Sequence, residues 1–236
     1  MTTTEQQQHG SLKYAVDIVL CIDATGSMRH TLDDVKASAL SFHQKLIAEM
    51  DAKGKSISQL RLKVIAFRDF GDRADDAIAE TAFLSLPEQS GEFAEFVRRL
   101  EPTGGGDIPE SGLEALALAV QADWERGLDK RRHVIVLFTD APAHPLGSPR
   151  QRSVPTYPPS VPESMDVLFE QWGHSRSQSA VMDNSAKRLL LFAPEISPWP
   201  EIADDWNNTL FFPSNAGDGL EEWEMGEIIN TIANSL

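Results

Sequence analysis

Asp23, Thr25 and Ser27 stand at alternate positions in Asp-Ala-Thr-Gly-Ser-Met, directly after the apolar run Val16–Ile22. Residues two apart on an extended turn can project to one side, so a carboxylate and two hydroxyls converge there. Two further acid-bearing turns follow. Gly104-Gly105-Gly106-Asp107-Ile108-Pro109-Glu110 precedes a helical pattern, and Asp140-Ala141-Pro142-Ala143-His144 follows the apolar run His133–Thr139. Carboxylates beside neutral hydroxyls, with no thiol and no clustered imidazole, make a hard-oxygen donor set. That chemistry suits Mg²⁺ first, with Mn²⁺ or Ca²⁺ as alternatives.

Each turn also has a plainer reading. Asp23, Thr25 or Ser27 could cap a helix, and Asp107 and Glu110 could be acids favoured by a helix N-terminus. Three such turns at strand ends weigh towards a shared site. Gly104–Gly106 is not a phosphate loop, because no Lys-Ser/Thr follows it. His144 reads as a hydrogen-bonding residue that holds its loop, outside the site. Arg68-Asp69 reads as a structural pair or loop anchor, and Trp199 and Trp206 as packing residues.

The elements that must position these turns alternate. Short β-rich runs occur at Tyr14–Ile22, Leu60–Phe67, His133–Thr139, Arg188–Ala193 and Asn208–Phe212. Their near-continuous apolar character predicts strands buried on both faces of a parallel sheet. Helical patterns lie between them, at about Thr31–Met50, Glu92–Leu100, Gly112–Arg126, Glu163–Gln171 and Leu220–Asn234. The expectation is an α/β domain with a doubly wound, mostly parallel central sheet and helices on both faces. The segment Ala77–Leu86 would add one antiparallel edge strand. In such sheets ligands bind at the carboxyl ends of the strands, where all three turns fall.

Residues 1–12 are polar and read as a disordered tail before a domain spanning 13–236. Within that domain Pro142–Pro162 is too rich in Pro, Ser, Gly and Arg for a regular element, and long loops of this kind usually carry function. Across 236 residues the formal net charge is −15. That balance argues against nucleic acid and anionic membrane surfaces as partners. One cysteine, Cys21, excludes an internal disulfide. The N-terminus lacks the apolar stretch of a signal peptide, and no run approaches the roughly 20 apolar residues of a membrane helix. A soluble, cytoplasmic protein is expected.

Asp23-Ala24-Thr25-Gly26-Ser27 resembles the Asp-x-[Ser/Thr]-x-Ser signature of von Willebrand factor type A domains. The other loops look closest to the I-like domain of integrin β subunits. Asp107-Ile108-Pro109-Glu110 fits that domain's Asp-x-Pro-Glu, and Thr139-Asp140-Ala141 with His144 fits its third loop. Tyr157-Pro158-Pro159 follows in the same order, so the likeness spans roughly residues 14–235. The resemblance implies a metal ion-dependent adhesion site. Asp23, Thr25 and Ser27 would supply its first loop, Glu110 the second with Asp107 beside it, and Asp140 the third. The integrin β pattern has two acids soon after the first motif for an adjacent ion. Arg29 and His30 stand there instead, and Asp33 and Asp34 come too late, so one ion is expected.

The expected function is a non-enzymatic module. Its metal keeps an open coordination position for an Asp or Glu of a partner protein, with the loop Pro142–Pro162 flanking the contact. The alternative is a haloacid-dehalogenase-like phosphoryl-transfer enzyme with Asp23 as nucleophile. Against it, Thr25 rather than Asp stands two after Asp23, and no Asn-Asp follows Gly217-Asp218-Gly219. A scaffold with a vestigial site is a third reading.

Overall fold

The computed structural model describes residues 13–105, 109–127, 130–174, 180–220 and 223–236. The proposed tail 1–12 and Asp107 therefore lie outside the described residues. A seven-stranded sheet forms the centre. Its strands are β1 (Lys13–Asp23), β2 (Ser56–Phe67), β3 (Ile78–Glu80), β4 (Leu84–Leu86), β5 (Arg131–Phe138), β6 (Lys187–Pro194) and β7 (Thr209–Ser214). The order is β3-β2-β1-β5-β6-β7, with β4 also paired to β2. The five long strands run parallel, and β3 and β4 are antiparallel to β2. This is the doubly wound, mostly parallel sheet expected from the buried apolar runs.

Alternation along β1 divides the core. Val16, Ile18, Leu20 and Ile22 face one hydrophobic cluster with residues of α1 (Arg29–Ser38), α2 (Phe42–Ala52), α3 (Ser90–Arg99) and α8 (Met225–Ser235). Val19 and Cys21 face a second cluster with α4 (Gly112–Val120), α6 (Met165–Trp172) and α7 (Trp199–Asp205). A strand with both faces covered has no polar side to write into its sequence. Among the described residues no helix is long and apolar enough to cross a membrane.

Several boundaries differ from the sequence expectation. The helix expected over Thr31–Met50 is broken between α1 and α2. There the Ser41 hydroxyl donates to the Ser38 carbonyl at 3.2 Å, and Ser41 N bonds the same carbonyl at 3.0 Å. Serine competes with the helical hydrogen-bond pattern in this way, and Leu40 is left exposed at the break. The helix expected to reach Arg126 stops at Val120, where the Trp124 indole donates to the carbonyls of Ala119 and Val120. The expected edge strand in 77–86 is two short ones, β3 and β4. Helix α7 was not foreseen, although Pro198 and Pro200 mark its start in the manner of N-terminal prolines.

The irregular segment 142–162 contains one short turn of helix, α5 (Pro149–Arg152), and is tied down along its length. Leu146, Tyr157 and Val161 enter the second core cluster. The Tyr157 hydroxyl donates to Glu114 Oε1 at 3.1 Å, with Glu114 wholly buried on α4. Burial drives the Glu114 carboxyl up to about 7, and the hydrogen bonds from backbone and Tyr157 offset this only in part.

Two outcomes are expected from this packing. An added Cβ at Gly112 would lie 2.9 and 3.0 Å from ring carbons of Trp199, which is fully buried. Gly112→Ala should therefore lower stability by about 1–3 kcal/mol in thermal or urea unfolding; an unchanged melt would mean the ring has room to move. Glu114 has a folded pKa raised above its ordinary 4.5. Its contribution to stability is complete below the unfolded value and is lost as pH rises through about 7. Glu114→Gln should be more stable than the parent at pH 8, by up to about 3 kcal/mol, and the two should converge in acid. Parallel pH profiles of urea unfolding check this sign.

Candidate functional site

Strands β1 and β5 are adjacent, yet the chain leaves β1 towards β2 on one side and β5 towards β6 on the other. The crevice between their carboxyl ends is the switch point where α/β sheets bind ligands. Ile22 is level with Phe138 across this pair, so Asp23 and Thr139 emerge side by side. The Thr139 hydroxyl donates to Asp23 Oδ2 at 2.7 Å. The other oxygen, Oδ1, accepts from Thr25 N at 3.0 Å and Thr25 Oγ1 at 2.6 Å.

From Thr25 a chain of oxygens runs outward. Thr25 Oγ1 lies 3.4 Å from Ser27 Oγ, and Ser27 Oγ donates to Asp140 Oδ1 at 3.1 Å. Asp23, Thr25 and Asp140 are buried, whereas Ser27 is exposed. The row therefore starts inside the protein, reaches solvent at Ser27 and turns back to the buried Asp140. Burial raises the Asp23 carboxyl to about 6; hydrogen bonds from Thr25 and Thr139 pull it down, and the Asp140 charge pushes it up.

Three neighbouring segments fix this row. Gly26 N donates to Gly104 O at 3.3 Å and Thr103 N to Ala24 O at 3.0 Å. The Gly-rich turn thus runs along the first loop. Gly105, at φ +88°, is so close that a Cβ there would lie 3.5 Å from the Thr25 Cβ and 4.0 Å from Glu110 Oε1. Glu110 itself is buried and forms a parallel bridge to Ala143. Its N–H donates to Pro142 O at 3.0 Å, and its carbonyl accepts from His144 N at 2.9 Å. The third segment precedes α8. Gly219 N donates to Asp140 Oδ2 at 3.0 Å, Gly217 N donates to the Asp140 carbonyl at 2.9 Å, and the Thr31 hydroxyl donates to Gly219 O. A Cβ on Gly219 would lie 2.3 Å from Ser27 O, so only glycine allows this approach.

Of the residues expected to act together, Asp23, Thr25, Ser27 and Asp140 are joined by hydrogen bonds or close oxygen contacts. Glu110 stands on the adjoining bridge with Oε1 towards Gly105, and Asp107 is outside the described residues. Among the described residues no group of three or more His, Cys, Asp or Glu side chains is arranged to hold a metal. The candidate set is accordingly one in which hydroxyls separate the acids.

Sequence reasoning missed part of the supporting structure. The Gly217–Gly219 contact was not foreseen, although two glycines around one Asp signal a special turn. Arg68 and Asp69 do anchor loops, each to different partners. Arg68 donates to the carbonyls of Asp76 (3.0 Å) and Glu101 (2.7 Å), joining two loops beside the site. Asp69 Oδ1 lies 3.1 Å from His144 Nε2 and accepts from Gln151 Nε2 at 2.9 Å. Burial would raise the Asp69 carboxyl, but His144, the Gly71 N–H and Gln151 outweigh it and hold it low. His144 thus holds its loop. Trp199, beyond packing, donates from Nε1 to the Ala141 carbonyl at 2.8 Å.

Comparison with known proteins bears on this arrangement. An ariadne-like RING finger protein of Acanthamoeba polyphaga mimivirus is 29% identical over 129 residues, covering 55% of this chain. The alpha-protein kinase vwkA of Dictyostelium discoideum is 23% identical over 152 residues, covering 64% of it. The chain spans only 11% and 22% of the lengths of these two relatives. Among solved structures, the pilus adhesin SpaC of Lactobacillus rhamnosus GG matches 93% of this chain and 30% of its own, with TM-score 0.52 and 11% identity. Proximal thread matrix protein 1 of the mussel byssus matches 95% of this chain and 49% of its own, with TM-score 0.51 and 11% identity. These two show a shared fold. A family model described as the von Willebrand factor A domain matches residues 17–147, from within β1 through the Asp140 turn. With more than half of its length in that match, the chain belongs to the von Willebrand factor A domain family.

Proposed function

We propose that this domain is a metal-dependent protein-binding module, in which one divalent ion at the Asp23–Asp140 turn takes an Asp or Glu side chain of a partner protein. Family membership supports a protein-interaction module in general terms. The observation that carries the finer reading is the spacing of the oxygens. Thr25 Oγ1, Ser27 Oγ and Asp140 Oδ1 follow one another at 3.4 and 3.1 Å. Adjacent ligands of an octahedral Mg²⁺ at about 2.0–2.1 Å stand about 3 Å apart, so the donors present fit such an ion. Asp23 would orient Thr25 from behind, Glu110 would close the set from the second loop, and Asp107 would lie beside it. Mg²⁺ is the expected ion, with Mn²⁺ or Ca²⁺ as alternatives. The bound ion would supply a positive centre for an anionic oxygen, and Ser27, being exposed, marks the side from which a partner approaches.

Within the family, the order of Asp-x-Thr-x-Ser, Asp107-Ile108-Pro109-Glu110 and Thr139-Asp140-Ala141 with His144 supports a likeness to the integrin β I-like domain. The loop Pro142–Pro162 would then flank the ion and help select the partner. Binding is favoured over phosphoryl transfer because Asp23 is wholly buried and both its oxygens accept hydrogen bonds. A nucleophile needs an open approach to its substrate.

Two results are expected. Mg²⁺ or Mn²⁺ should raise the melting temperature, by the equivalent of about 2.7 kcal/mol at a hundredfold excess over Kd, and Asp23→Ala should abolish the shift. A pull-down should retain a partner in Mg²⁺ and lose it with chelator or with Asp140→Ala. A melt indifferent to both ions at millimolar concentration would end the metal reading. Calorimetry should also find Mg²⁺ binding weakened more by Glu110→Gln than by Asp107→Asn; the reverse order would reassign the second loop's ligand.

A further inference from the structure

A groove on the flank of the sheet, between α6 and α7, plays no part in the proposed metal site. Its floor is apolar, made by Met165, Phe169, Ile202 and Trp206, and it encloses about 280 Å³. Its rim is acidic, with Asp166 on one side and Glu201 and Asp205 on the other. Four large hydrophobic side chains are exposed among the described residues. Two of them, Val167 at 46% and Ile196 at 43%, stand on the segments that border this groove. Single exposed apolar residues are ordinary; the apolar floor of the groove is what offers a side chain of a partner a place to be buried.

The charge around the groove has one sign. Segments 163–174 and 195–206 contain Glu163, Asp166, Glu170, Glu195, Glu201, Asp204 and Asp205 and no Lys or Arg. Arg152 meets Glu163, and His174 meets Glu170. Asp166, Glu201 and Asp205, the rim acids, are exposed and form no ion pair among the described residues. Like charges around an apolar slot repel one another, and a cationic group seated among them relieves that repulsion while the slot buries an apolar side chain. A second copy of this chain is a poor occupant, given its net charge of −15.

We propose that this groove docks a segment of another protein bearing a bulky aliphatic or aromatic anchor flanked by Lys or Arg at helical spacing. The anchor fills the space over Phe169, Ile202 and Trp206, and the cations reach Asp166, Glu201 and Asp205. This is the apolar centre and charged rim of a helix-in-groove contact, with charge complementarity setting its selectivity. The Trp199 indole, bonded to the Ala141 carbonyl, holds the first turn of α7 next to the third loop. Docking here does not depend on a metal.

The test uses fluorescence anisotropy with three labelled, amidated 14-residue peptides, in chelator throughout so that the metal reading is not involved. The first has Leu and Phe at i, i+4 spacing flanked by Lys and Arg. The second keeps the cations and replaces Leu and Phe by Ala. The third keeps Leu and Phe and replaces the cations by Glu. The first peptide should bind at least tenfold more tightly than either control. Glu201→Lys with Asp205→Lys should weaken it at least tenfold. Asp51→Lys with Glu88→Lys, an equal charge change at exposed sites away from the groove, should change it less than threefold. Circular dichroism melts of both double variants verify folding. Equal binding of the first two peptides, equal loss in both double variants, or no binding of the first peptide would overturn the proposal.

Discussion

Asp23 ends the central strand with both carboxylate oxygens tied to threonine hydroxyls, one from its own turn and one from the neighbouring strand. A buried carboxylate without such partners is expensive, because nothing replaces the water it loses. Satisfying it fixes the residues around it. Thr25 must bend its turn back towards the strand end, and Thr139 must arrive level with Asp23 through the β1–β5 register. Burial still leaves the carboxyl raised, with the Asp140 charge adding to the effect. The row of oxygens leading out to Ser27 begins from this constraint.

The loops around that row are held mainly by backbone groups. Glu110 donates to the Pro142 carbonyl and accepts from His144 N across a strand-like bridge to Ala143, Gly104 meets Gly26, and Gly217 and Gly219 reach Asp140. Backbone contacts of this kind demand small residues where chains approach closely, as at Gly219 beside Ser27 O. Behind them, Arg68 joins the loops at Asp76 and Glu101, while Asp69 collects His144 and Gln151. The long segment 142–162 is thereby fastened at both a polar and an apolar set of points. It borders the site as a fixed wall rather than as a free strand of chain.

The domain offers two kinds of chemistry at two places. At the switch point, the carboxylates and hydroxyls of Asp23, Thr25, Ser27 and Asp140 stand in one row, where we propose that a hard cation and, through it, an anionic oxygen binds. On the flank, an apolar slot with an acidic rim is complementary to a cationic, amphipathic segment. The Trp199 hydrogen bond to Ala141 connects the two, since α7 forms one wall of the slot while its first residue braces the turn that carries Asp140. A partner that presents an acid and, further along, a basic helix would match both.

The parallel strands were legible in the sequence because burial on both faces writes itself as near-continuous apolar runs, and the turns at Asp23 and Asp140 were legible because they follow those runs directly, whereas the Gly104–Glu110 turn joins α3 to α4. Asp23, Thr25, Ser27 and Asp140 are local words of that kind: each is placed by the strand immediately before it. The break at Ser41, the division of the edge into β3 and β4, and the early end of α4 under the Trp124 indole were not. Each depends on a hydrogen bond or pairing that competes with the local period. Helix α7 left a trace in its flanking prolines, but its short length hid it. Tertiary structure alone decided that Gly219 closes on Ser27 and Asp140, that Asp69 receives His144 and Gln151, and that Glu110 is zipped to Ala143. These contacts join segments tens of residues apart, and their geometry comes from strand register and packing. Periodicity in a sequence reports which face a residue turns to the core; which distant loop it then meets is set by how the sheet stacks its strands.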